Sequence, residues 1–315
     1  MGRKITAIGE VLTDLTQTFV DNNGIANFAA NPGGAPANVA VAASRLGHET
    51  AFIGCVGKDT FGNLLKETLK ANNVDISGLQ ETDRATTTMA VVTVSASGER
   101  SFSFCRKPGA DTLIDAEKAV QAVKGTYMLH FGSVSLTDPA CRKTIETVIR
   151  AAKEDGAVIT YDPNYRASLW NSEEEAVTCM RDVLKYCDIV KISDEETLLL
   201  TGEQEPEKAA KAVIAAGAKL VVVTLGSKGA FYCTKDAQGT VAGFKVRVAD
   251  TNGAGDTFFG ALIGEIAANG GLDNLDREKL EEYVRFANKA ASLTASRPGA
   301  MPAMPYRHEV TGTQE

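Results

Sequence analysis

The chain has 315 residues, of which 44% are hydrophobic and 23% charged, and a formal net charge of −7. This is ordinary usage for a folded protein and enough chain for one large α/β domain with an appendage, or for two domains. With no basic excess and no local Lys/Arg cluster, the composition argues against a general nucleic-acid or membrane-surface binder, while a small anion stays within reach of backbone amides.

In chain order, Lys4–Gly9 (KITAIG) predicts a first buried strand ending in a turn. Residues 11–32 mix Thr, Asn and Asp with short apolar pieces and predict short, partly exposed strands. Pro36 then stands where a helix begins, with Val39, Ala42, Ala43 and Leu46 as its apolar side. AFIGCVG is a strand, followed by a helix over Thr60–Ala71. Residues 86–95 and 101–105 predict two strands joined through the Gly-containing turn Ala96–Glu99. Segments 11–32 and 86–106 together predict a small β-sheet inserted as a lid.

From Asp115 onward strand and helix alternate. TYMLHFG, AVITYD, DIVKIS and KLVVVTLG are apolar nearly throughout, as strands buried on both faces must be. Ile145, Val148, Ile149 and Ala152 mark one intervening helix by their spacing. Strands at Phe231–Cys233 and Val241–Val248 follow, then helices at Ala254–Ala268 and Leu280–Ala295. The predicted fold is a single α/β domain over 1–315, a doubly wound, mostly parallel sheet with a small β lid.

The six cysteines are scattered without C-x-x-C spacing, and three histidines do not cluster with them, so neither a disulfide framework nor a zinc site is expected. Residues 1–10 reach Glu10 before a signal-peptide core forms, and no run approaches a membrane span. A soluble, cytoplasmic protein is expected, with no nucleic-acid or membrane partner.

Chemistry concentrates in ADTNGAGDTFFGAL (Ala249–Leu262). Gly253 and Gly255 let a ligand approach the backbone at the positive end of a helix, and Asp256 lies in its first turn, where the dipole favours the carboxylate. Amides for phosphoryl oxygens beside a carboxylate base are what phosphoryl transfer to a hydroxyl requires. The same residues also describe a plain turn with an acidic N-terminal charge, and alone they leave both readings open. Near the N-terminus, Gly33 and Gly34 precede a helix that carries Asn38, with Asp14 upstream. Asp and Asn beside bare amides suit a polyhydroxyl ligand, or cap turns. No G-x-x-x-x-G-K-[ST] and no G-x-G-x-x-G after the first strand occurs, which argues against a P-loop enzyme and a nicotinamide dehydrogenase.

GGAPANVAVAASRLG, then GCVGKDTFG, and DTNGAGDTFFGAL resemble the N- and C-terminal signatures of the ribokinase-like PfkB carbohydrate kinase family, in order and across essentially the whole chain. DPNYR (Asp162–Arg166) and FSFCRKPGAD (Phe102–Asp111) are most similar to fructokinases within it. The resemblance implies Asp256 as general base and Gly253, Ala254 and Gly255 as anion hole. It implies sugar or phosphate contacts for Asp14, Gly33, Gly34, Asn38, Arg106 and Arg166. Lys191, Thr224, Gly226, Ser227 and Gly229 would meet the ATP phosphates and ribose, and Asn288 the adenine. Glu196 would tune Mg²⁺ through water, although Ser193 replaces the usual Asn of that motif, and Asn252 stands where Thr is commoner. Asp250, near the Pro298–Ala300 turn, would neighbour a monovalent cation, K⁺.

The implied reaction moves the γ-phosphoryl group of MgATP to a primary hydroxyl, most simply O6 of D-fructose, under a lid that excludes water and pairs two subunits. The rivals are a 2-keto-3-deoxygluconate, ribose or nucleoside kinase, and a sugar- or nucleotide-binding sensor without turnover.

Overall fold

The computed structural model describes residues 3–94 and 100–313. Its strands are β1 (Ile5–Ile8), β2 (Leu12–Val20), β3 (Ala26–Gly33), β4 (Thr50–Gly57), β5 (Val74–Thr82), β6 (Met89–Val94), β7 (Arg100–Cys105), β8 (Met128–Gly132), β9 (Val158–Asp162), β10 (Ile189–Ser193), β11 (Leu220–Thr224), β12 (Gly229–Thr234) and β13 (Gln238–Ala242). Its helices are α1 (Ala35–Arg45), α2 (Thr60–Ala71), α3 (Ala116–Ala122), α4 (Pro139–Glu154), α5 (Glu173–Asp182), α6 (Thr197–Thr201), α7 (Pro206–Ala215), α8 (Ala254–Ala268), α9 (Arg277–Ala295) and α10 (Arg307–Thr311).

Nine strands form the main sheet in the order β13-β12-β11-β10-β9-β8-β1-β4-β5. Every pair from β11 to β5 is parallel, and β12 and β13 extend the sheet antiparallel. The chain leaves β1 toward β4 and β5, then returns to the other side of β1 at β8 and winds outward. The order therefore reverses between β1 and β8, and the crevice beyond the carboxyl ends of those strands is where such sheets place a ligand. A second sheet, β3-β2-β6-β7, is built from the two segments read as interruptions of the alternation.

Two helices aim their N-termini at that crevice. α8 is apolar almost all round and is buried from Asp256 to Ala267, packed between α1 and α9. Gly260 makes the approach to α1 possible, since a Cβ there would lie 2.7 Å from the Val39 carbonyl oxygen. That close crossing holds Asn38 of α1 and Asp256 of α8 at one level.

Some boundaries differ from those read in the sequence. β13 stops at Ala242, and 243–248 is not strand; Phe244, Val246 and Val248 alternate there but are exposed, and among the described residues no strand pairs beyond this edge. β5 was not foreseen: it is an edge strand with Gly78 at its middle, and its burial alternates irregularly. β6 starts at Met89 rather than Thr86, because the Thr87 hydroxyl donates to Asp59 and Thr88 bonds to Asp111. α9 starts at Arg277, where the Asp276 carboxylate caps the Lys279 amide. The turn Ala96–Glu99 lies outside the described residues.

Candidate active site

At the switch point lies a cleft of about 580 Å³. Glu10 beyond β1, Val134 beyond β8, Asn164 and Arg166 beyond β9, Lys191 at the middle of β10 and Glu195 beyond it form its floor. Asp14 and Phe104 reach in from the second sheet, Gly34, Ala35 and Asn38 from α1, and Thr251–Gly253, Gly255 and Asp256 from the start of α8. A larger open concavity of about 880 Å³ along β5 and α3 shares no residue with it. Of the two, the cleft is the one that gathers two helix N-termini, carboxylates and a buried cation.

Gly253 has φ 75, the left-handed conformation that a residue with a Cβ resists, and α8 begins directly after it. Gly255 needs no unusual φ; its bareness matters because a Cβ there would sit 3.1 Å from Lys191 Nζ. Ala254 opens the helix without lining the cleft. Asp256 is buried, and its Oδ2 accepts from Asn38 Nδ2 at 2.8 Å. Burial pushes its carboxyl above the ordinary carboxylate value, and the Asn38 hydrogen bond and the Lys191 and Arg166 charges only partly oppose this. The dipole argument from the sequence expected the opposite balance. A buried base is the stronger proton acceptor, which suits the role.

Asp14 sits across the cleft. Burial raises its carboxyl to about 6, while Arg166 and the Asn252 side chain favour the charged form. Gly33 does not line the cleft but clears space for this group, since a Cβ there would come within 2.6 Å of Asp14 Oδ2. At Gly34, with φ 103, a Cβ would meet the Glu10 carbonyl oxygen at 2.5 Å. Arg166 is exposed at the rim, and its Nη1 donates to the carbonyls of Asn164 and Tyr165.

Three expectations change on contact with the geometry. Arg106 is not at the cleft surface: its guanidinium is buried against Asp111, with Nε at 2.8 Å and Nη2 at 2.7 Å from Oδ2, and it also donates to Thr137 and the Val134 carbonyl. It ties the base of the second sheet to the end of β8 and is not among the residues that line the cleft. Asn38 is engaged on the base rather than on a ligand through its amide nitrogen, leaving its buried Oδ1 without a partner among the described residues. Glu196 accepts from the Tyr165 and Ser193 amides and the Ser193 hydroxyl, so it braces the loop after β9 against β10.

Sequence reasoning passed over four residues that shape the site. Asn252 supports Asp14. Glu10, its carboxyl raised to about 7 by burial, accepts from the Ala35 amide and the Ser135 hydroxyl. Asn164 holds a positive φ of 45 at the cleft wall, and such a strained backbone at a cleft points to use. Asp162 pairs with Lys191. The available signals were a lone Lys in an apolar strand, a Glu ending the first strand, and an Asn doublet of partners in DPN and TNG.

The residues expected around ATP gather one strand further out. Thr224 pairs in register with Ser193, and Gly226–Lys228 forms an exposed turn closed by Gly229. Asn288 on α9 donates to the carbonyls of Val241 (3.1 Å) and Ala242 (3.3 Å), and Ala242 is the register partner of Gly229. Thr224, Gly226, Ser227, Gly229 and Asn288 therefore gather around the β11–β13 end of the main sheet but do not line the cleft; Lys191 alone of the set does. Asp250 accepts from the amides of Asn252 and Gly299, tying the strand-end loop to the Pro298–Ala300 turn.

A family model described as pfkB family carbohydrate kinase matches residues 3–307. The chain is 40% identical over 309 residues to fructokinase-2 of Solanum lycopersicum, covering 97% of this chain and 94% of the relative. Among solved structures it is similar to a fructokinase with bound ATP from Xylella fastidiosa, at 32% identity and a TM-score of 0.92 over 99% of this chain and 98% of the other. A double mutant of fructokinase from Vibrio cholerae O395, in a form with fructose, ADP and potassium ion bound, matches at 32% identity and a TM-score of 0.88 over 99% and 98%.

Proposed function

The chain belongs to the pfkB family of carbohydrate kinases, and we propose that the sugar it phosphorylates is D-fructose, at O6. It is an ATP-dependent carbohydrate kinase. The observation that carries the mechanism is the single cleft in which a buried Asp256, held by Asn38, faces the bare Gly253–Gly255 turn and a buried lysine. A sugar hydroxyl placed there loses its proton to Asp256 as its oxygen attacks the γ-phosphorus, while the loop amides receive the charge on the transferring group. Asp14, backed by Asn252, accepts from the sugar's other hydroxyls, and Arg166 closes the rim.

Among the described residues no group of three or more His, Cys, Asp or Glu gathers to hold a metal ion. The donor set fits Mg²⁺ that arrives on phosphate oxygens and water, with Glu195 at the wall and Glu196 behind it. When bound, Mg²⁺ neutralises charge on the phosphates. K⁺ is proposed beside Asp250, and exchanging it for a bulky organic cation in the assay below tests that: unchanged rates remove it. The second sheet is proposed as a lid and as the seam of a homodimer, since Phe19 (59% exposed), Val20 (53%) and Ile25 (61%) stand unpaired on its hairpin; light scattering that finds a monomer ends that reading. Among the described residues no helix is long and apolar enough to cross a membrane, and six free thiols fit a reducing cytoplasm.

The acidic rival, 2-keto-3-deoxygluconate, is disfavoured by charge. Glu10, Asp14, Glu195 and Asp256 line the cleft against Arg166 and Lys191, and Arg106 is occupied by Asp111. ATP consumption measured over fructose, ribose, nucleosides and 2-keto-3-deoxygluconate decides among them. kcat/KM should be highest for fructose, with ribose and nucleosides at least ~100-fold lower, because a site built on hydroxyl acceptors rejects ligands that leave them unpaired. A higher value for the acid replaces the sugar and leaves the kinase.

A further inference from the structure

Lys191 and Asp162 form a buried ion pair, with Nζ 2.8 Å from Oδ2 and side chains only 7% and 2% exposed. They lie side by side, Lys191 at the middle of β10 and Asp162 at the end of β9, whose register sets Val190 against Tyr161 one position earlier. Burying two charges is costly unless every donor and acceptor is matched, and here the matching is incomplete. The Asp162 contact is the one hydrogen bond of the ammonium among the described residues, and Asp162 Oδ1 has no partner there. Two of three ammonium donors therefore remain open in a group that lines the cleft and lies over the Gly255 Cα. A pair kept only for folding would be served as well by two apolar side chains.

We propose that Asp162 is a positioning residue that fixes Lys191 over the Gly253–Gly255 turn, so that the two open ammonium donors bind the γ-phosphoryl oxygens during transfer. This rests on the reading of the cleft as a phosphoryl-transfer site. As transfer proceeds the P–O bond to ADP breaks, the P–O bond to the sugar oxygen forms, and the hydroxyl proton goes to Asp256; Lys191 and Asp162 neither gain nor lose a proton. The carboxylate side of the pair keeps the lysine charged and its chain straight, and the glycine at 255 leaves the space in which a phosphoryl oxygen meets both the loop amides and the ammonium. Lys191 is thereby a catalytic residue, and Asp162 acts through it.

The test titrates MgADP and a non-hydrolysable MgATP analogue with an imido bridge, both without sugar, so that an error in the named sugar does not enter. Lys191→Met should weaken the analogue at least ~10-fold, the loss of a charge-assisted contact, and leave ADP within about twofold. Asp162→Asn should lower kcat about tenfold on fructose with its KM unchanged, and should lower Tm. The double variant Asp162→Asn, Lys191→Met removes the stranded charge and should regain Tm while binding the analogue no better than Lys191→Met. Equal losses on both nucleotides, or a double variant that recovers analogue binding together with Tm, would overturn the assignment and leave a purely structural pair. If wild-type enzyme binds both nucleotides but consumes no ATP with any sugar, the site reading fails instead, and the nucleotide titrations still decide the pair.

Discussion

The two ends of the proposed nucleotide–sugar axis are built differently. At the acceptor end, side chains from both sheets, α1 and the start of α8 converge on one cleft, and burial raises three of its carboxyls: Glu10 to about 7, Asp14 to about 6, and Asp256 above its ordinary value. At the nucleotide end, the turn 226–228 and the stretch 244–248 lie open, and Asn288 is satisfied by backbone carbonyls. The raised carboxyls thus gather where phosphoryl transfer is proposed, and the residues proposed for the nucleotide lie on an open surface whose hydrogen bonds are already made. Substitutions at the acceptor end should therefore change turnover and sugar use, and those at the nucleotide end only ATP affinity.

The largest expected effect is at Asp256. Asp256→Asn keeps the shape and can still meet Asn38, but removes the proton acceptor, which costs ~10²–10⁴ in kcat. ATP affinity should stay within a small factor. A variant that retains more than a tenth of wild-type kcat would return the residue to the status of a helix N-terminal charge.

How far the sequence carried this picture depends on whether a partner is near in the chain. The Gly253–Asp256 turn was legible because its glycines, its acid and its helix are contiguous. Most strands of the main sheet were legible as apolar runs bounded by turns, though not β5 or the order in which they pair. The Lys191–Asp162 pair joins residues 29 apart, and only a lysine inside an apolar strand hinted at it. Arg106 is a different case: its partner Asp111 is visible five residues on, but nothing in the sequence says that the pair is buried away from the cleft lining. The alternation in 243–248 mimics a strand, and only the absence of a neighbour beyond β13 denies it.

Asp14 gives the next effect, and pH reads it without mutation. Its carboxyl, faced by Arg166, Asn252 and Asp256, protonates below about 6, so acceptance from sugar hydroxyls is present above that pH and lost as pH falls. kcat/KM for the sugar should drop about tenfold per unit below pH 6, and Asp14→Ala should lower it ~10–100-fold at neutral pH, the cost of a lost hydrogen bond to a charged group. Stability should run the other way. The Glu10 and Asp14 carboxyls, raised in the folded state, bind protons more tightly there than in the unfolded chain, so the ligand-free protein should gain Tm as pH falls from 7.5 toward 6. A sugar kcat/KM that is flat from pH 7 to 5 would show that Asp14 does not read hydroxyls.

The smallest effect is expected at Asn288, and it tests the open end. Its amide nitrogen holds the Val241 and Ala242 carbonyls, and through Ala242 the strand partner of Gly229, so it fixes the β12–β13 edge near the 226–228 turn without entering the cleft. Asn288→Ala leaves those carbonyls beside an edge strand where water reaches at least Ala242, which is exposed. The loss is then about 1 kcal/mol of local order rather than a stranded buried group. That corresponds to a rise of roughly fivefold in KM for ATP, with kcat at saturating ATP and KM for the sugar unchanged. Steady-state kinetics with each substrate varied in turn separates the terms. A fall in kcat with unaltered KM for ATP would mean that the α9–β13 contact governs the chemistry, and the division between a strained acceptor end and a relaxed nucleotide end would not hold.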